Sequence, residues 1–422
     1  MKITIYFVGF LLPLLCTMQS LNCPYQGEEA LIAELLFKCL ESSAQLISIK
    51  SLLQCIANFT EGTSSTCTSK IAQELTQHAF INKKDYSQCS TNFNNLLRVI
   101  FEYHLSSPLV SGNTRPENVS SKVWKLVNDS LAYHDYYCSH IDNQYDEQIN
   151  SLLKKVTVNV TELKFDMDVY KNNDIVSWDI VNKGSWEIDE IKQIFYGLEK
   201  YRSDRGITNP ADVMFLDIGG QIGWHTMIVG LKGYKVFTFE PMMINQYIIR
   251  HNICRNRSMD ITYINKGLDK ESKICHLYSE DFNKGNAELF CHDYEKPLNR
   301  IYQGAIELMK LDEFVYYFKN LAVIKIDIEG SEYNVMKGGR SVMLNMHVPY
   351  ILTEWSPYMI RQKNGDPIAY IQEFMNAGYK VDTKGFEGAN IVDINFIREK
   401  ADQDKQNYKG VNINLYLIYT GS

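Results

Sequence analysis

Val213-Met-Phe-Leu-Asp217-Ile-Gly219-Gly220-Gln221-Ile-Gly223 is an apolar run that closes on an acid and three glycines. A short apolar run bounded by turn residues is a buried strand, and the residues after Gly223 begin a helix. Glycines at such a junction let the backbone turn sharply and let a ligand come close to a helix N-terminus. A dinucleotide fingerprint would place glycine at positions 218, 220 and 223, but position 218 is Ile and Asp217 ends the strand. The alternative is a turn that only packs helix on strand.

Outward from this turn, a second strand ends in Phe239-Glu240-Pro241, 23 positions after Asp217. An acid there accepts hydrogen bonds from both hydroxyls of a ribose, although alone it could equally cap the next helix. A pyrophosphate favours amides without an acid beside them, whereas the sulfonium and ammonium of S-adenosylmethionine tolerate or favour the nearby carboxylate of Asp217. A third strand, Ala322-Val-Ile-Lys325-Ile-Asp327-Ile-Glu329-Gly330-Ser331-Glu332, crowds three acids at one end. In an open α/β sheet that edge faces the ligand crevice, which makes Asp327 and then Glu329 the candidates for chemistry. Ser331 as N-cap with Glu332 in the first turn accounts for Glu332. His225 is expected on a helix face.

Further short runs, Ile261 to Ile264 and Tyr350 to Thr353, alternate with helical stretches, so the C-terminal part is a mostly parallel sheet with helices on both faces. The pattern changes at Lys155, where Val156, Val158 and Val160 alternate with Thr157, Asn159 and Thr161 as in a strand with a polar face. Before it, apolar stripes at helical spacing recur from Leu31 to Leu131, around a surface loop at Ser106 to Ser121. The chain of 422 residues thus divides into a helical domain over 21–150 and an α/β domain over 151–422.

Residues 1–20 carry Lys2, an apolar run from Ile3 to Cys16 and a polar stretch, the pattern of a secretory signal. Met18 sits where a small residue would aid cleavage, so cleavage and retention as an anchor both stay open. No later segment is apolar over about 18 residues, the length a membrane span needs. Cys23, Cys39, Cys55, Cys67, Cys89 and Cys138 predict three disulfides confined to the helical domain. Cys254, Cys275 and Cys291 then imply at least one thiol that is free or paired outside its domain. Glycosylation acceptors at Asn58, Asn118, Asn128, Asn159 and Asn256 agree with a secretory route. The net charge of −7 argues against a nucleic-acid partner, and Arg250, Arg255 and Arg257 form a solvated helix end.

The C-terminal region resembles the FkbM-type methyltransferases over roughly Phe165 to Tyr419. The resemblance rests on Phe215-Leu-Asp-Ile-Gly-Gly-Gln-Ile-Gly223, Phe239-Glu-Pro241, Leu311-Asp312-Glu313, Lys325-Ile-Asp-Ile-Glu-Gly330 with Lys337-Gly338, and the strand closing at Glu354, all in family order. It implies a Rossmann-like class I fold with a mostly parallel seven-stranded sheet, here preceded by a disulfide-stapled all-α domain. It also implies S-adenosylmethionine as cofactor, with Asp217, Gly219, Gly220 and Gly223 at the methionine part and Glu240 at the ribose. Gln221 stands where the family usually has Asn.

The expected activity is methyl transfer to a hydroxyl or carboxyl oxygen of a glycan, lipid or small molecule in the secretory pathway, with Asp327 or Glu329 as base or positioning group and no metal. Two rivals stand beside it. One is a glycosyltransferase using Asp327 and Glu329, or Asp166 and Asp168, around a divalent cation, which leaves the glycine turn and Glu240 unexplained. The other is a secreted binding protein that keeps the fold without the chemistry.

Overall fold

The computed structural model describes residues 119–139, 151–256, 258–291, 299–407 and 410–421. The signal segment, the helical stripes before residue 119, the five cysteines from Cys23 to Cys89, Asn58 and Asn118 lie outside the described residues.

Strands β1 (Leu153–Val160) and β2 (Leu163–Tyr170) form an antiparallel hairpin. Its alternation buries Val158 and Val160 and leaves Asn159 in solvent, as the period of two dictates. Strands β3 (Met214–Ile218), β4 (Lys235–Phe239) and β5 (Ile261–Ile264) begin the main sheet. Strands β6 (Gly267–Leu268), β7 (Lys273–Glu280), β8 (Asn283–Phe290) and β9 (Ile301–Met309) form a separate sheet inserted after β5. Strands β10 (Leu321–Ile326), β11 (Tyr350–Trp355), β12 (Tyr379–Asp382), β13 (Ile391–Val392) and β14 (Ile413–Tyr419) complete the main one.

The main sheet runs β5-β4-β3-β10-β11-β14-β12-β13. Pairings from β5 to β11 are parallel, while β14 runs antiparallel to β11 and to β12. The seven-stranded class I arrangement is therefore present, with the two-residue β13 added at its edge. Strand order reverses between β3 and β10, the switch point at which an open α/β sheet binds ligands.

Burial on both faces explains the unbroken apolar strands. Val213, Phe215 and Val323 enter one core, while Met214, Leu216, Ile218, Ile324 and Ile326 enter the other. Gly197, in the helix Ile188–Asp204, brings that helix against the sheet, since a Cβ there would lie 2.8 Å from Val323.

The helix Ser121–Ser139 changes the picture drawn from sequence. Its Val123 and Val127, with Val119, join the core under Leu216 and Ile324, and Ser130 donates to the Tyr263 carbonyl. Up to Cys138 it clusters with Ser151–Ser422. Cys138 is bonded to Cys254 and Cys275 to Cys291. Three disulfides confined to an N-terminal domain are thus ruled out, because the last of the six cysteines sits on a helix packed against the α/β core. The odd later cysteine, Cys254, finds its partner in that helix.

Candidate active site

A cleft of about 260 Å³ opens at the carboxyl ends of β3, β4 and β10. Gly219, Gly220, Gln221, Glu240, Asp327 and Glu329 all line it. Of the seven residues selected from sequence, five therefore converge on one cleft, and Gly223 and Asp217 lie beneath it.

The turn is tied to its neighbour strand. Gly219 and Gly220 both donate their amides to the Phe239 carbonyl at 3.0 Å, and the Gln221 amide donates to Glu240 Oε2 at 2.9 Å. These three amides hold the turn against β4. What the glycines supply is bare surface and unusual backbone. Gly219 has φ 93° and Gly223 φ 90°, and a Cβ at Gly219 would meet the Asp327 carbonyl oxygen at 1.9 Å. Gln221 itself adopts φ 46°, a strain that points to a functional turn.

Asp217 is 1 % exposed and sits under the floor. Its Oδ2 accepts from Thr226 Oγ1 at 2.7 Å. Burial pushes its carboxyl up, opposed by the Lys325 ammonium and the Thr226 bond.

Glu240 closes β4 as predicted. Its Oε1 accepts from the Met242 amide at 2.8 Å, and burial raises its carboxyl to about 7 against the pull of the Met242 and Gln221 amides. A carboxylate offers about four acceptor positions, so these bonds leave capacity toward the cleft.

At the other end lies a carboxylate cluster. Oxygens of Asp327, Glu329 and Glu354 all fall within 4.8 Å of one another, a grouping able to hold a metal ion. Lys325 Nζ lies 3.1 Å from Asp327 Oδ2. Burial alone would push that ammonium down, but Asp327, Asp217 and Glu187 outweigh it and hold it above its usual value. Burial and then Asp327 raise Glu329 to about 7. Glu354 is pushed up to about 9 by burial and by Asp327, Glu329 and Glu332. Glu187 reaches about 7 through burial, with Lys325 opposing and Asp327 adding. His225 lines the cleft but is 5 % exposed, and burial with the nearby Lys325 keeps its imidazole neutral.

The first half of β8 lines the cleft: Asn245 Nδ2 donates to the Gly285 carbonyl at 2.9 Å, and Asn286 Nδ2 donates to Glu329 Oε1. Glu329 adopts φ 55° in this arrangement.

Ser331 makes no side-chain cap, contrary to expectation. Glu332 Oε1 accepts from the Ile328 and Gly330 amides instead, closing the loop after β10. The Asp166–Asp168 pair proposed for a cation is taken up elsewhere. Asp166 binds Lys155 and Thr157, and Asp168 binds His251 and Arg255. Sequence reasoning gave no role to Lys325, Glu187 or Glu354. The rule that found Asp327, an acid at a strand's carboxyl end, would also have found Glu354. Glu187 carries no such signal, since it precedes a helix in a left-handed conformation.

Among solved structures the chain is similar to a SAM dependent methyltransferase from Agrobacterium tumefaciens (9 % identity, 64 % of this chain and 71 % of that chain, TM-score 0.32). It is also similar to an O-methyltransferase from Bacillus cereus in complex with SAH (12 %, 58 % and 96 %, TM-score 0.25). A third is phosphoethanolamine N-methyltransferase 2 from Haemonchus contortus in complex with S-adenosyl-L-methionine (10 %, 89 % and 99 %, TM-score 0.28). No curated protein matches the chain. The model of the methyltransferase FkbM domain matches residues 217–381, from the acid that ends β3 to the middle of β12. The segment that holds the glycine turn, Glu240 and the carboxylate cluster is therefore the one that matches the methyltransferase FkbM domain.

Proposed function

We propose that this chain binds S-adenosylmethionine in the β3–β4–β10 cleft and methylates an oxygen of a small-molecule or glycan acceptor within the secretory pathway. The observation that carries the reading is the pairing of a positive-φ glycine turn with Glu240 inside a methyltransferase domain. The residues fit the group. Gly219 and Gly220 let the turn pack directly against the Asp327 backbone and Thr238, where any Cβ would clash, and Glu240 places a buried acceptor in the cleft where vicinal hydroxyls can donate to it. The carboxylates across the cleft suit a ligand that carries positive charge.

When bound, S-adenosylmethionine supplies an electrophilic methyl carbon on a sulfonium. The chain's part is alignment and proton handling. Lys325 fixes the Asp327 carboxylate by charge, and Asp327 would orient the acceptor hydroxyl and take up its proton. Glu329, tied to Asn286, serves as the second acid of this edge.

Calorimetric titration of the full chain tests the reading. S-adenosylmethionine and S-adenosylhomocysteine should bind and NAD should not. Binding of a UDP-sugar in their place would favour the glycosyltransferase. The secretory assignment is supported by the Cys138–Cys254 and Cys275–Cys291 bonds and by exposed Asn159. Protein from eukaryotic cells should shift on endoglycosidase treatment, and an unshifted, fully reduced protein would reject this compartment.

A further inference from the structure

A second cavity, of about 180 Å³, lies at the carboxyl ends of β10 and β11 and the start of β14. Glu187, Lys325, Asp327 and Glu354 line both it and the cofactor cleft, so a molecule seated there reaches the reacting edge. Asn412 and Asn414 form its far wall. Asn412 Nδ2 donates to Glu354 Oε1 at 2.7 Å, and Asn414 Nδ2 donates to Glu190 Oε1 at 2.9 Å.

The chemistry of this lining is selective. Ionised carboxylates only accept, carboxamides both donate and accept, and the Lys325 ammonium is already engaged by Asp327. An anionic acceptor would face the Glu187, Asp327 and Glu354 carboxyls, with Lys325, already paired to Asp327, as the one cation among the described lining residues. Mixed donors and acceptors match neutral hydroxyls better than they match a cation, for which a fully ionised cage is the better host. Trp186, beside Glu187, adds an aromatic wall on the cleft side.

Building on the methyltransferase reading of the cleft, we propose that this cavity is the acceptor subsite and that it takes a neutral vicinal diol, the hydroxyl pair of a carbohydrate ring, held by Glu354, Asn412 and Asn414 beside Asp327. Carboxyl acceptors are excluded by charge.

The test uses full-length protein saturated with S-adenosylhomocysteine. Saturation-transfer NMR is recorded with methyl glycosides of glucose, mannose and galactose, then with methyl β-D-glucuronide and methyl 2-amino-2-deoxyglucoside. At least one neutral pyranoside should bind in the presence of EDTA, the glucuronide should bind about tenfold more weakly, and Asn412→Ala should weaken the pyranoside about tenfold at unchanged S-adenosylhomocysteine affinity. Silent pyranosides, equal binding of the glucuronide, tighter binding of the amine, or binding that appears only when Mg²⁺ is restored would each overturn the subsite. The last would make the carboxylates a cation site. Failure of S-adenosylhomocysteine to bind wild-type protein overturns the reading of the cleft, whereas its normal binding with silent pyranosides overturns the subsite alone.

Discussion

The two halves of the cleft are built from different materials. Where β3 and β4 end, the surface is backbone: three glycines whose Cβ atoms would strike the Asp327 carbonyl, Thr238 Oγ1 at 2.4 Å and Ile249 Cγ1 at 2.7 Å. Where β10 and β11 end, the surface is charge: Asp327, Glu329 and Glu354, joined by Glu187 from before the helix Ile188–Asp204. The first half is a matter of shape and fails when anything is added. The second is a matter of ionisation, and it changes with pH and with the removal of one charge at constant shape.

The largest effect is expected on the side of shape. Gly219→Val sets a branched side chain against the Asp327 backbone and asks it to hold φ 93°. Strain of about 1–3 kcal/mol for the backbone and a similar amount for overpacking should lower the melting temperature by several degrees and abolish cofactor binding. Thermal denaturation and calorimetry measure both, and wild-type affinity in this variant would show that the turn is not the cofactor's cradle.

Next comes Asp327→Asn, which keeps shape and removes charge. Turnover should fall about 10²–10⁴-fold while cofactor affinity changes little, since Glu240 on the neighbouring strand, and not the Asp327 carboxylate, is placed at the ribose. Full activity in a destabilised protein would mean that Asp327 only closes the turn after β10. Lost affinity with unaltered single-turnover chemistry would move it to the cofactor half.

Legibility in the sequence follows the same division. The backbone half is written in consecutive residues, because a glycine turn and a strand-end acid are local patterns, and β3, β4, β5, β10 and β11 were all visible as short apolar runs. The charged half is assembled from distant segments. Asp327 and Glu329 were legible as a crowd of acids, but Glu187 and Asn412 join them only through the tertiary fold. The β7–β9 insertion escaped notice because its faces are half-buried and polar residues such as His276, Asn286 and Gln303 interrupt the alternation. Cys138 was grouped by position with the earlier cysteines, whereas its partner Cys254 is 116 residues away.

A middle-sized effect sharpens the comparison at the seam. Glu240→Ala should weaken S-adenosylmethionine by about 1.5–3 kcal/mol, roughly 10–150-fold, the range for losing hydrogen bonds to a charged group. The same change leaves the Gln221 and Met242 amides without their acceptor, so the melting temperature should fall as well. Unchanged affinity by calorimetry would remove Glu240 from the ribose and leave it a purely structural clamp on the turn.

The smallest effect belongs to the charged half alone. Glu354 and Glu332 have folded-state values near 9 and 8, against an ordinary 4.5, with burial as the first cause of each. The folded protein thus holds these protons more tightly than the unfolded chain does. Their contribution to stability is complete below the ordinary value and is lost as pH rises through the folded values. The carboxylates shifted the other way, Asp166, Asp168 and Glu307, give stability that is already complete well below pH 7, and neutral His225 likewise ceases to contribute a slope above its ordinary value of 6.5. Between pH 7.5 and 9 these acids dominate, because the buried tyrosines whose hydroxyls are also pushed up begin to count only near their ordinary value of 10, and the melting temperature of unliganded protein should fall by about 2–5 °C across that interval. Glu354→Gln, which cannot ionise, should remove more than half of the fall, with Glu332 supplying most of the remainder. A melting temperature that is flat or rising over the interval in wild-type protein would mean that these carboxyls are already ionised at neutral pH, and the acceptor edge would then be a cage of full charges.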